Sequence, residues 1–257
     1  MKVIYIDYAI IWMKFIDKYK SANFNKRKKG TFLNYIILHY TAMKDYKEAL
    51  SQLCDKNNKV SSHFLINKSG DIFYLVNIMN RAWHAGKSKW RKVSDINSES
   101  IGIEIDNSGH LYNFENYTSK QIDSLIKLLK YISYRYGIKK HNILGHSDIS
   151  PYRKIDPGEK FPWKILYKNK IGIWHNLKKV KLSFTRGEAI SVRKVNLFMK
   201  NLSKFGYPGK SIIMKNKRKY KKLLVKAFQR RFRPELINGK IDQECLLILH
   251  NLLSNKA

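Results

Sequence analysis

The stretch Phe32-Leu33-Asn34-Tyr35-Ile36-Ile37-Leu38-His39-Tyr40-Thr41 decides how the rest of the chain is read. It is short, rich in β-branched and aromatic residues and closed by polar Thr41, which predicts a buried strand with a histidine at its end. Beyond it a helix is expected from about Tyr46 to Lys56. Then Ser61–Ile66 and Ile72–Val76 flank the turn signal Asn67-Lys68-Ser69-Gly70-Asp71, which predicts a hairpin. Ser100-Ile101-Gly102-Ile103-Glu104-Ile105-Asp106 alternates strictly, so the three isoleucines share one face and Gly102, Glu104 and Asp106 the other. Thr118-Ser119-Lys120-Gln121 opens a helix through Tyr136, with Ile122, Leu125, Ile126, Leu129 and Ile132 at helical spacing and Gly137 as its C-cap. Asn142–Gly145 is a short strand before a loop holding Pro151, Pro157 and Pro162. Strands interleaved with helices predict an α/β (α+β) domain with a mixed central sheet flanked by helices, over residues 31–176.

Two regions of different texture flank that domain. Residues 1–30 form an N-terminal segment whose end, from Tyr19 to Thr31, is polar and basic and reads as a linker or extended arm. The first twenty residues carry one early lysine and a short apolar segment, lack an Ala-x-Ala site and contain Asp7; an export signal and a structural strand or helix are both open. Val3–Ile16 is interrupted by Asp7 and Lys14, and no apolar run approaches the ~20 residues of a membrane span. From about Leu177 to the end, Glu188–Leu202, Tyr220–Phe232 and Gln243–Leu253 read as helices punctuated by Gly206, Gly209, Pro234 and Gly239. They predict a small three-helix domain over 177–257, too acid-poor to look catalytic.

The 257 residues are 44% hydrophobic and 13% aromatic, a globular composition that excludes general disorder. The net charge of +32 would attract polyanions, yet only eleven of the fifty-one basic residues are arginine. That balance reads more as a compositional habit than as a phosphate-binding surface, so no nucleic-acid partner is expected. Cys54 and Cys245 are too few and too far apart for a disulfide framework or a cysteine zinc ribbon, and read as small hydrophobes.

None of the eight histidines, His39, His63, His84, His110, His141, His146, His175 and His250, shows the H-E-x-x-H spacing of many zinc proteases. His39 and His146 each follow an apolar strand, where sheets of α/β proteins present side chains to a ligand crevice. Singly, each is as readily a satisfied structural histidine. With Asp156, ten residues past His146, they would make a two-histidine, one-carboxylate set with room for a water, as in catalytic zinc sites, provided the fold brings them together. Glu104 is either a solvated strand acid or, beside such a metal, a general base. Lys154 would stabilise negative charge in the same loop, or be one lysine among many. Trp83-His84-Ala85-Gly86 and Trp163 put aromatic surface on loops, for stacking on ligand or for packing.

Together the segments His39-Tyr40-Thr41-Ala42, Ser61-Ser62-His63-Phe64, Ala82-Trp83-His84-Ala85-Gly86, Ser100-Ile101-Gly102-Ile103-Glu104 and GHSDISPYRKIDPGEKFPW (145–163) resemble the zinc-dependent N-acetylmuramoyl-L-alanine amidases. The type is amidase-2, with the fold of phage T7 lysozyme and the peptidoglycan recognition proteins, and the closer look is to the AmpD and AmiD branch. The resemblance implies that His39, His146 and Asp156 bind Zn2+, that Glu104 is the catalytic acid/base and that Lys154 supports the oxyanion. It also implies that Trp83 and His84 line the substrate groove and that Asn107 contacts the stem peptide. Ala227–Pro234, Asn238-Gly239 and Asp242 resemble the peptidoglycan-binding domain that follows the catalytic domain in AmiD-like enzymes. Neither cysteine stands where the lipidated cysteine of such lipoproteins does, so no lipid anchor is expected.

The expectation is a monomeric hydrolase of the amide between N-acetylmuramic acid and L-alanine, acting on peptidoglycan or muropeptides in cell-wall turnover, remodelling or recycling. Its place would be the cell envelope, periplasmic, with the cytoplasm as alternative. Three rivals stay open: a glycosidase using Glu104 with Asp106, a non-catalytic peptidoglycan binder, and a nucleic-acid binder using Lys217–Lys222 and Arg230–Arg233.

Overall fold

The computed structural model describes residues 2–6, 9–209 and 215–255. The N-terminal segment forms an antiparallel hairpin of β1 (Lys2–Ile6) and β2 (Ala9–Met13), followed by β3 (Phe15–Ile16) and β4 (Phe24–Lys26). The central region supplies β5 (Tyr35–Tyr40), α1 (Tyr46–Cys54), β6 (Phe64–Ile66), β7 (Ile72–Tyr74), β8 (Asn80–Ala82), α2 (Ile96–Glu99), β9 (Ser100–Ile105), α3 (Ser119–Tyr136), β10 (Ile143–Gly145), α4 (His146–Ile149) and α5 (Trp163–Lys168). Four helices close the described chain: α6 (Lys179–Thr185), α7 (Val192–Phe205), α8 (Lys217–Phe232) and α9 (Gln243–Ser254). Among the described residues no helix is long and apolar enough to cross a membrane.

The main sheet runs β10-β5-β9-β6-β7-β3. The β6–β7 hairpin is antiparallel and the other neighbours are parallel, giving the mixed sheet with flanking helices that the strand pattern predicts. Alternation along the strands divides it into two unlike faces. Ile36, Leu38, Ile101, Ile103, Ile105, Phe64 and Ile66 face α3, whose Ile122, Leu125, Leu128, Leu129 and Ile132 complete that core. On the other face Leu65 and Phe73 pack under α1 against Ala49, Leu50 and Leu53. Further along, Tyr35, Ile37 and Leu144 share a core with Phe198, Leu202, Phe205, Phe228 and Ile248 of the C-terminal helices. Between those apolar patches the face carries Gly102, His39 and Glu104, because Ile37 pairs with Gly102 and His39 with Glu104.

Several elements differ from expectation for identifiable reasons. β5 starts at Tyr35 rather than Phe32, because its partner β9 begins only at Ser100, opposite Tyr35; Phe32 is left exposed. The arm over 19–31 is extended, but β4 pairs with β8, and the Arg27 guanidinium donates to the carbonyls of Ile78, Asn97 and Ser100. α6 was not expected, and its start has no side-chain cap to announce it. The cluster Arg230–Arg233 is turned inward: buried Arg231 bonds Asp148, and buried Arg233 lies 3.2 Å from Asp242. The basic run at the start of α8 is largely exposed. Both cysteines are free, Cys245 buried and Cys54 half-buried.

Candidate active site

Three neighbouring parallel strands end at one edge of the sheet, and each delivers a site residue there. β5 presents His39, β9 presents Glu104 beside it, and β10 ends at Gly145 so that His146 is the next residue. Asp156 returns to the same point because the Ser147 amide donates to its carbonyl at 2.9 Å. A side chain at Gly145 would strike Pro157, 2.8 Å from the added carbon, so this close return of the loop needs glycine there.

His39 Nδ1, His146 Nδ1 and Asp156 Oδ2 form a triangle with sides of 2.9, 3.0 and 3.0 Å. All three residues are buried. His146 Nε2 lies 3.1 Å from both the Ala85 carbonyl, an acceptor, and Arg153 Nη2, a donor, and its Nδ1 faces Asp156. Burial, joined by the neighbouring His146 imidazole, lowers the His39 pKa to about 4, and neutral His39 approaches His84 through Nε2 at 3.1 Å. Burial alone would push the Asp156 carboxyl up, but the imidazoles overcome it and hold the group well below the usual carboxylate range. Two imidazole nitrogens and a carboxylate oxygen, each able to ligate a cation, thus converge. Donors around one tetrahedral zinc ion at ~2.0–2.1 Å stand about 3.3 Å apart, so set and spacing fit one small cation.

Glu104 stands on the wall of a cleft of about 190 Å³ that also includes His39, His146, Asp156 and Lys154. Its Oε2 is buried without a hydrogen-bond partner. Burial raises its pKa well above the ordinary value, the charge of Asp156 adds to this, and Lys154 opposes it. A carboxyl whose pKa is raised in this way is suited to take and return a proton. Met43, Gln52 and Leu53 on the α1 side complete the wall. The sequence gives them no signal beyond the helical pattern of α1.

The structure thus gathers six of the eight residues that sequence reasoning singled out, His39, His84, His146, Asp156, Glu104 and Lys154, and leaves Trp83 and Asn107 off the cleft wall. His84 touches the cleft but is buried behind His39. Trp83 is half-buried, and its Nε1 donates to Asn25 Oδ1 at 2.6 Å. Asn107 is fully buried: its Nδ2 donates to the Glu115 carbonyl and its Oδ1 accepts from the Gly109 amide. Sequence reasoning also passed over Arg231 and Asp148 as a pair. The only hint was an acid two residues past His146.

Residues 29–159 match the Amidase_2 family, N-acetylmuramoyl-L-alanine amidase. The N-acetylmuramoyl-L-alanine amidase AmiD of Escherichia coli (strain K12) is 36% identical over 234 residues, 86% of this chain and 82% of that protein. Among solved structures, E. coli AmiD in complex with the substrate anhydro-N-acetylmuramic acid-L-Ala-D-gamma-Glu-L-Lys superposes with a TM-score of 0.76 at 34% identity, covering 90% of this chain and 93% of that one. AmpDH3 from Pseudomonas aeruginosa, in complex with anhydromuramic pentapeptide, gives a TM-score of 0.74 at 31% identity over 98% of this chain and 99% of that one.

Proposed function

The chain belongs to the N-acetylmuramoyl-L-alanine amidase family, and from that membership we propose how its cleft works: His39, His146 and Asp156 hold one zinc ion, Glu104 is the acid/base and Lys154 steadies the oxyanion. The protein is an amidase of the bond between N-acetylmuramic acid and L-alanine in peptidoglycan or its fragments. The observation that carries the metal assignment is the buried triangle of two imidazole nitrogens and a carboxylate oxygen, 2.9–3.0 Å on a side, next to a Glu104 Oε2 without a partner.

Bound there, zinc supplies Lewis acidity toward the scissile carbonyl and makes a water acidic near neutral pH. Glu104 takes the proton of the attacking water and passes it to the leaving amine of L-alanine, the step for which its raised pKa suits it. The Lys154 ammonium faces the charge that develops on the carbonyl oxygen. The apolar wall supplied by Leu53 and Val60 keeps bulk water from these groups. Among the residues assigned to substrate by resemblance, Trp83 is only half-buried, whereas His84 and Asn107 are enclosed with their polar atoms engaged. Trp83 is therefore our choice for the groove wall. The cell envelope, where this polymer lies, is the proposed location, read out by fractionation of the tagged protein.

Incubating the protein with muropeptides and with sacculi, with and without a zinc chelator, tests the reading by mass spectrometry. Stem peptide beginning at L-alanine is expected, lost on chelation and restored by zinc. No release from a folded, zinc-loaded sample on either substrate refutes the catalytic roles.

A further inference from the structure

A bare Nδ1 on His39 is a choice between two tautomers of nearly equal intrinsic stability, so something must make it. Ser100 donates its hydroxyl proton to the Ile96 carbonyl at 2.6 Å. Its oxygen can then only accept from His84, whose Nε2 is 3.2 Å away. His84 therefore carries its proton on Nε2 and offers Nδ1 as an acceptor, 3.1 Å from His39 Nε2. His39 must donate there, which leaves its Nδ1 free to face His146 and Asp156.

The neighbouring residue reaches the other imidazole, since the Ala85 carbonyl lies 3.1 Å from His146 Nε2 beside the Arg153 guanidinium. One asparagine fixes both: Asn97 Oδ1 accepts the amides of His84 and Ala85 at 3.1 and 2.7 Å. Space for the His84 ring exists only because position 102 is glycine, where an added carbon would lie 2.4 Å from His84 Cγ.

We propose that His84 is a positioning residue that, through Ser100, selects the His39 tautomer competent to bind the metal. This rests on the metal reading of the same site. It makes His84 a partner of the ligand rather than of the substrate.

The test compares His84→Leu, which removes the acceptor, with His84→Asn, whose Oδ1 stands near the place of the imidazole Nδ1. Zinc affinity is read by competition with a chromogenic chelator, and the His39 tautomer by long-range 1H–15N NMR of metal-free protein. Loss of a partner that orients a metal-binding histidine typically weakens binding by about 10- to 100-fold. That loss is expected for His84→Leu, together with mixed tautomers of His39, and recovery to within a few-fold for His84→Asn. Unchanged affinity and a single tautomer in folded His84→Leu overturn the proposal, as does a folded His84→Asn no better than the leucine variant. Should His84→Leu fail to fold, Ser100→Ala loosens the same relay from its far end, and an unaltered His39 tautomer there overturns the proposal equally. If the wild-type protein binds no zinc the metal reading fails, while the tautomer spectra still decide for or against His84.

Discussion

Glu104 near the end of β9 and Asp106 just beyond it lie two positions apart, and their surroundings set them different tasks. Glu104 faces the cleft, and Glu104→Ala is expected to keep its zinc while losing roughly 10² to 10⁴ in turnover, the usual scale for a general acid/base; metal analysis beside kinetics reads both. Lys154→Ala, likewise zinc-loaded, should lose about 10² to 10³, as when one oxyanion donor is removed. Asp106 is buried and its Oδ1 has no partner. Burial pushes its pKa up to about 6 against the pull of Lys68. Its unfolded value is about 3.9, so between those values the folded state binds the extra proton, and stability drains away as pH rises through that window. Asp106→Asn should abolish this drain, its melting temperature gaining on the wild type between about pH 4 and pH 6 and running parallel above; profiles parallel throughout would show that Asp106 is not the source. What the sequence disclosed at this scale were residues whose position follows from a strand end, such as His39 and His146. Proton placement in the His39–His84–Ser100 chain was illegible, because it depends on contacts between segments far apart in the chain.

Elements were legible where local chemistry announces them. Thr118 and Gln121 cap α3 reciprocally, the Gln121 amide donating to Thr118 Oγ1 at 3.1 Å and Gln121 Oε1 accepting from the Thr118 amide at 2.9 Å. Gly137 ends the helix at a φ of 65°. Both ends were readable from residue type alone. The same cap reaches toward the site, since Gln121 Nε2 donates to the Asp106 carbonyl at the end of β9. Thr118→Ala is expected to cost about 1 kcal/mol in denaturant unfolding and to leave turnover unchanged; a drop in turnover at equal stability would mean the helix start tunes β9. By contrast α6, with no capping side chain, and the residues 32–34 ahead of β5 were misread, because tertiary pairing and not propensity sets their ends.

At the scale of the molecule the change of composition near Leu177 marks a change from sheet to helix, while the hydrophobic core runs on across it. Burying Ile37 or Leu144 is worth about 1.5–3 kcal/mol per side chain, and on this face the C-terminal helices provide the cover. The joint is also ionic. Arg231 on α8 bonds Asp148, donates to the Ile143 carbonyl at 2.9 Å and lies over Trp163, while Asp148 also accepts from Tyr207 and from the Gly145 amide next to His146. Arg231→Met strands a buried carboxylate and should cost about 3–5 kcal/mol, with Asp148→Asn in the same chain restoring part of it; chemical denaturation of the single and double variants measures this. From sequence the helices were visible but their docking was not, since a run of arginines reads the same whether it faces solvent or a buried acid. The parallel pairing of β5 with β9 and β10 has one more consequence, in time. His39 and His146 are 107 residues apart, and β5 gains both neighbours only after the intervening chain has closed over it. The cage is therefore among the last things to form. On the proposed metal reading, a cation present during refolding is expected to leave the folding rate as it was and to act instead as a latch on the finished protein, slowing its unfolding.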